Sequence, residues 1–118
     1  MGHFKGQVVL NRTATVNATT YYSEKSDVAR VGAISYHLIW GILTGTWTVQ
    51  VSNIEAPNEE TDTDWVDVVL GTPINQPAGS ASKDFVNLTS LKAGWVRLKL
   101  AVATGVGAAS AHAAGGEA

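Results

Sequence analysis

The stretch at residues 45–53 constrains the fold of this chain more than any other. It reads Gly-Thr-Trp-Thr-Val-Gln-Val-Ser-Asn, so apolar and polar side chains alternate with a period of two. Trp47, Val49 and Val51 then point to one side of an extended chain, and the polar residues between them point to the other. This alternation is typical of a strand with one face on a core and the other in water.

Two further segments show the same alternation. In residues 31–40 the apolar face consists of Ile34, Tyr36, Leu38 and Trp40. In residues 95–103 it consists of Val96, Leu98, Leu100 and Val102, while Arg97 and Lys99 face outward. Residues 41–45 form a short reversal between the first two strands, and we expect them to close an antiparallel hairpin.

Short strand-like runs separated by turn-forming residues recur along the 118 residues. This pattern predicts an all-β protein, an antiparallel β-sandwich or jelly roll of about seven or eight strands. We expect residues 1–12 to be an N-terminal arm and first strand, residues 13–113 the sandwich, and residues 114–118 a flexible tail. The arm and the Ala/Gly-rich last strand are the segments expected to reach a neighbouring subunit.

Composition excludes several classes of function. The net charge is only −2, which gives no electrostatic reason to expect nucleic acid or an anionic membrane as a partner. There is no cysteine, so thiolate metal sites and cysteine nucleophiles are excluded. No apolar run is long enough for a membrane span, and no export signal is recognisable, so synthesis in a cytoplasm is expected. No catalytic constellation or cofactor motif is present, and the chain is predicted not to be an enzyme.

The polar residues that cluster in the sequence are acidic. Residues 55–67 hold six of the ten acidic residues. Three interpretations remain open: a solvated loop, a surface that contacts a basic patch on a partner, and a calcium site to which Asp62 and Asp64 would contribute. Asp62 and Asp64 are weak candidates, because neither the spacing nor a central glycine matches an EF-hand loop. A carboxylate pair for glycoside hydrolysis would need a cleft that a domain of this size seldom provides.

The four tryptophans fall into two groups, according to the residues that share their face of the strand. Trp40 and Trp47 alternate with aliphatic residues and are predicted to be core. Trp65 and Trp95 are in phase with charged residues and are predicted to lie on an outer face, as an interface or as a platform for stacking sugars. The candidate interface residues are Trp65, Trp95, Arg97, Lys99 and His37. The three histidines are too scattered to predict a metal site.

Four segments together resemble small virion structural proteins of tailed bacteriophages. They are Ile-Ser-Tyr at 34–36, the 45–53 stretch, Asp-Trp-Val-Asp at 64–67 and Gly-Trp-Val-Arg-Leu-Lys at 94–99. The resemblance covers about residues 30–110, and its motifs are structural. The chain departs from the pattern after Asn53, where a longer acidic segment replaces a short turn.

The resemblance implies a β-sandwich virion protein, a capsid decoration (cement) protein or a head or tail accessory protein. Its expected partners are the major capsid protein or other virion proteins, and it is expected to be a homo-oligomer, with a trimer favoured. The alternative is a carbohydrate-binding module or tail adhesin that stacks sugars on an exposed Trp65 or Trp95.

Overall fold

The computed structural model describes residues 4–15, 18–27, 33–41, 43–68, 74–76, 82–88, 93–104 and 107–116. These residues contain ten strands and no helix, and therefore no helix that could cross a membrane. The strands are β1 (Phe4–Arg12), β2 (Thr19–Tyr22), β3 (Ser26–Asp27), β4 (Ala33–Trp40), β5 (Thr44–Ser52), β6 (Val66–Val68), β7 (Ile74–Gln76), β8 (Ser82–Leu88), β9 (Trp95–Thr104) and β10 (Ala109–Gly116).

The strands form two antiparallel sheets, and the prediction of an all-β sandwich is confirmed. Sheet A has the order β1-β10-β4-β8, and sheet B has the order β2-β9-β5-β6. The short strands β3 and β7 pair with β9 and β5, so they continue the two edge positions of sheet B. The chain alternates between the sheets at every connection except those from β2 to β3 and from β5 through β6 to β7. This strand order, with four positions in each sheet, is that of a jelly roll.

The predicted core faces of the long strands are confirmed. The alternating apolar side chains of β4, β5 and β9 are buried in one cluster between the sheets. Trp40 and Trp47 belong to this cluster, with 4% and 2% of their surface exposed. β10 contributes only small side chains to it, from Ala109, Ala111 and Ala113.

The predicted hairpin between residues 31–40 and the 45–53 stretch is wrong. β4 lies in sheet A and β5 in sheet B, and the two strands are not paired. The connection instead carries the chain across the core, and Leu43 within it is 1% exposed. Both strands show the same alternation whether they pair side by side or face each other across a core, so their periodicity does not distinguish the two arrangements.

The terminal segments also differ from expectation. β1 pairs with β10 inside sheet A, with Val8 opposite His112 and Asn11 opposite Ser110. β10 lies between β1 and β4, so both of its edges are occupied and it cannot add to the sheet of a neighbour. Residues 114–116 belong to β10 rather than to a tail, while residues 1–3 and 117–118 lie outside the described residues.

Replacing Trp47 tests whether this side chain is a central part of the core. We expect Trp47→Ala to lower the free energy of unfolding by about 3–5 kcal/mol in urea titrations, because it leaves a large cavity between the sheets. Trp47→Phe is the matched control. It keeps most of the ring, and the indole N–H that it removes has no hydrogen-bond acceptor among the described residues. A loss as large for Trp47→Phe as for Trp47→Ala would contradict this account.

Candidate functional site

The acidic segment at residues 53–65 contains no strand and covers the outer side of sheet B. Beneath it lies Arg97, which has no exposed surface although it points away from the core cluster. Gln50 stands directly opposite Arg97 in the pairing of β5 with β9 and is 1% exposed. The loop therefore buries polar side chains that an uncovered sheet would leave in water.

Arg97 binds the loop through its guanidinium. Nε donates a hydrogen bond to Oε1 of Gln50 at 2.9 Å. The two terminal nitrogens donate to the backbone carbonyls of Glu59 at 3.0 Å and Thr61 at 2.6 Å. A planar group with donors in fixed directions can bridge a neighbouring strand and two loop carbonyls at once, which an ammonium group cannot match.

Two aromatic rings enclose the same guanidinium. Its carbon lies 4.0 Å from the ring centroid of Tyr22 and 4.1 Å from that of Trp65. Cation–π contacts of this kind gain strength when water is excluded. Burial lowers the pKa of Arg97, but an arginine remains charged at any physiological pH. Burial and the nearby charge of Asp62 raise the pKa of Tyr22, which keeps its hydroxyl neutral.

Asp62 links the loop to both neighbouring strands. Its Oδ2 accepts a hydrogen bond from Lys99 Nζ at 2.7 Å, and its Oδ1 accepts one from Gln50 Nε2 at 2.8 Å. The same Gln50 nitrogen donates to Oδ1 of Asp67 at 2.8 Å. The bonds from Lys99 and Gln50 lower the pKa of Asp62, and the bond to Asp62 raises the pKa of Lys99. Nη2 of Arg97 lies 3.7 Å from Oδ1 of Asp62, which is too far for a hydrogen bond, so it adds only electrostatic attraction.

The loop is also held by contacts of its own. Trp65 donates its indole N–H to the carbonyl of Asn58 at 2.7 Å, and the backbone N–H of Asn58 donates to Oδ2 of Asp64 at 2.8 Å. Lys25 pairs with Glu59 at 2.8 Å, and its ammonium lies 5.0 Å from the ring centroid of Trp95. The acidic residues of the loop are thus partly neutralised by cations of the same chain.

These contacts change the interpretation of the sequence-predicted site residues. Trp65 and Arg97 lie on the outer side of sheet B, but the expectation that they are accessible there is wrong, because the loop leaves them 7% and 0% exposed. Trp95 and Lys99 are half-buried against Lys25 and Asp62. The outward orientation of His37 is confirmed, since it is exposed on sheet A.

The calcium interpretation finds no support in the loop. The carboxylates of Asp62 and Asp64 accept the hydrogen bonds described above, so both have structural roles. Within the described ranges, no group of three or more His, Asp or Glu side chains is placed to hold a metal ion.

The outer side of sheet A, in contrast, is not covered by any described segment. We call it the sheet A face. Its outward side chains, taken from strand register and burial, are Val8, Asn11, Ser35, His37, Ile39, Lys83, Phe85, Asn87, Ser110, His112 and Ala114. Lys83 is the one formally charged residue in this set.

The middle of the sheet A face combines imidazole and phenyl rings with large aliphatic side chains. One row crosses all four strands in direct register: Val8, His112, His37 and Phe85. The ring centroids of His37 lie 6.3 Å from those of both Phe85 and His112. Phe85 is 62% exposed, Val8 44% and Ile39 41%. A nearly uncharged surface with exposed large side chains has the composition of the centre of a protein interface.

Comparisons with known proteins leave the family open. A scan against protein-family models finds no matching family, and a search of curated proteins finds no significant match.

Sequence reasoning missed most of the sheet A face, although a signal was present. Phe85 is in phase with Lys83 and Asn87 and out of phase with Val86 and Leu88, which are buried. The contact between the acidic loop and Arg97 could also have been predicted from the sequence, because the two outward cations of β9, Arg97 and Lys99, complement an acidic segment. The contact between Arg97 and the ring of Tyr22 could not have been predicted, because nothing in the sequence places β2 beside β9.

Removing the guanidinium tests its role in holding the loop. We expect Arg97→Ala to lower the free energy of unfolding by about 2–4 kcal/mol, since it leaves buried acceptors without donors. Amide hydrogen exchange across residues 53–65 should accelerate in the same variant. Arg97→Lys should recover only part of the loss, because it keeps the charge without the planar donors.

Arg12→Ala is the matched control for Arg97→Ala. Arg12 is an exposed arginine whose guanidinium lies 4.6 Å from the ring centroid of Tyr21. We expect its loss to cost no more than about 1 kcal/mol. Equal effects of the two substitutions would show that the burial of Arg97 has no particular importance.

The lowered pKa of Asp62 predicts a dependence of stability on pH. A carboxylate whose pKa is lower in the folded than in the unfolded state stabilises the fold above the unfolded value of about 4, and this stabilisation disappears as the pH falls through the folded value. In urea titrations, Asp62→Asn should therefore lose less stability than the wild type between about pH 5 and pH 2.5. The effect should be small, because the side chain of Asp62 is 48% exposed. Glu55→Gln, an exposed carboxylate of the same loop, should retain the wild-type pH dependence.

Proposed function

We propose that this protein is a non-enzymatic structural component of a tailed-bacteriophage virion, a capsid decoration (cement) or head accessory protein that binds through its sheet A face. Its partner would be the major capsid protein or another virion protein, and its location the virion. The observation that carries the proposal is the contrast between the two outer faces of the sandwich. The chain's own loop covers sheet B around Gln50, Arg97 and Lys99, whereas the sheet A face is uncovered by described residues, nearly uncharged, and exposes Val8, Ile39 and Phe85.

The resemblance described above supplies the identity of the partner class. Three of its four segments coincide with parts of β4, β5 and β9, which lie in the interior of the two sheets. These segments support the kind of fold, and the fold is one that capsid domains and lectins share. A fold alone does not determine a function, so the choice of a virion partner depends on the resemblance.

The rival carbohydrate-binding role loses its proposed platform. Stacking of a sugar requires an exposed indole, and Trp40, Trp47 and Trp65 are all buried. Trp95 is half-buried beside Lys25. A protein–protein contact on the sheet A face needs no rearrangement of these rings.

Self-association is part of the proposal. Symmetric oligomers are common among proteins that occupy symmetric lattice positions, and a trimer remains the favoured state. The sheet A face is available for contacts between copies, whereas β10 is enclosed by its neighbours.

The proposal is tested with particles of the encoding phage from which this protein is absent. Wild-type protein should co-sediment with them saturably, and Phe85→Asp should lower the affinity at least about tenfold, because it places a charge at the centre of the contact. Val66→Asp is the matched control, since Val66 is equally exposed at 66% but lies at the edge of sheet B. Failure of the wild type to bind, or equal effects of the two substitutions, would refute the proposal.

A further inference from the structure

Two imidazoles face each other across neighbouring strands in the middle of the sheet A face. His37 of β4 and His112 of β10 are directly opposite in the antiparallel register. Side chains in such positions leave the sheet on the same side, with Cβ atoms about 4.5–5.5 Å apart. His37 is exposed and His112 is half-buried, so both rings can be reached from solvent.

A small rotation brings the two rings to the separation of two ligands on one metal ion. A zinc ion lies about 2.0–2.1 Å from a ligating imidazole nitrogen, and thus about 3.2 Å from the ring centroid. Two rings on one tetrahedral ion therefore have centroids about 5.2 Å apart, and a separation near 6.4 Å would require an almost linear arrangement. The observed distance between the centroids of His37 and His112 is 6.3 Å. Rotation of the exposed His37 ring can shorten it without movement of the backbone.

The surroundings of the pair contain few groups that would compete with the two imidazoles for a metal ion. Among the outward side chains assigned above to the sheet A face, Lys83 is the one formally charged residue, and none is a carboxylate. Phe85 lies beside His37, and Val8 lies opposite His112. Neither neighbour offers a ligand for a metal ion, so the two imidazoles are the donors at this position.

We propose that His37 and His112 together form a site for a divalent transition-metal ion of the zinc, nickel or copper type. Imidazole is a ligand for these ions, whereas calcium and magnesium prefer oxygen ligands. Two protein ligands leave coordination positions open, which water occupies in the isolated protein. The site does not depend on the proposed virion role and can be tested without any partner.

The test is a titration of metal-free protein with Ni²⁺ and with Zn²⁺ at pH 7.5, followed by calorimetry and by the imidazole Hε1 signals in NMR. We expect saturable binding of one ion per chain, with shifts of the His37 and His112 signals. His37→Ala and His112→Ala should each weaken binding at least about tenfold, because the second ligand acts at high effective concentration.

Two controls make the result specific. His3→Ala removes the third histidine of the chain and should leave binding unchanged, as should Phe85→Ala, which changes a neighbour of the site without removing a ligand. The proposal is overturned if the wild type shows no saturable binding up to about 1 mM metal. It is also overturned if either histidine can be removed without loss, or if the NMR shifts are confined to His3.

Discussion

The fully buried guanidinium of Arg97 holds the acidic loop against the outer side of sheet B. Arg97 joins the neighbouring strand through Gln50, the loop through the carbonyls of Glu59 and Thr61, and the aromatic rings of Tyr22 and Trp65 through stacking. A buried cation is costly unless hydrogen bonds and nearby charges compensate for the lost water. The acidic loop supplies both kinds of compensation, so burial of Arg97 and closure of the loop depend on each other.

This closure makes the sandwich asymmetric. A jelly roll has two outer faces, and here the described residues cover only one of them. On the covered part of sheet B, the side chains of Arg97, Gln50 and Asp62 are paired with groups of the same chain. The sheet A face contains three of the five large apolar side chains that are exposed among the described residues, together with the histidine pair. This contrast is the reason why we assign the proposed role in assembly to the sheet A face.

The alternation of apolar residues predicted which side chains of β4, β5 and β9 enter the core, because a strand exposes every second residue to the same side. It did not predict which strands pair. The hairpin expected between β4 and β5 failed, since two strands that share a core show the same pattern in one sheet or in two. Gln50 and Ser52 were predicted to face water and are buried, because a segment elsewhere in the chain covers them. Such tertiary coverage leaves only a weak sequence signal, the complementary charges of the loop and β9.

The side-chain NMR signals of Arg97 test the central role of this residue most directly. If the guanidinium is enclosed by Tyr22 and Trp65, its Nε–H should exchange slowly with water at neutral pH, and its side-chain protons should show large upfield ring-current shifts. The Nε–H should also give an NOE to the side chain of Gln50. Rapid exchange together with the shifts of a solvated arginine would contradict the account, because the loop would then not be held closed over sheet B.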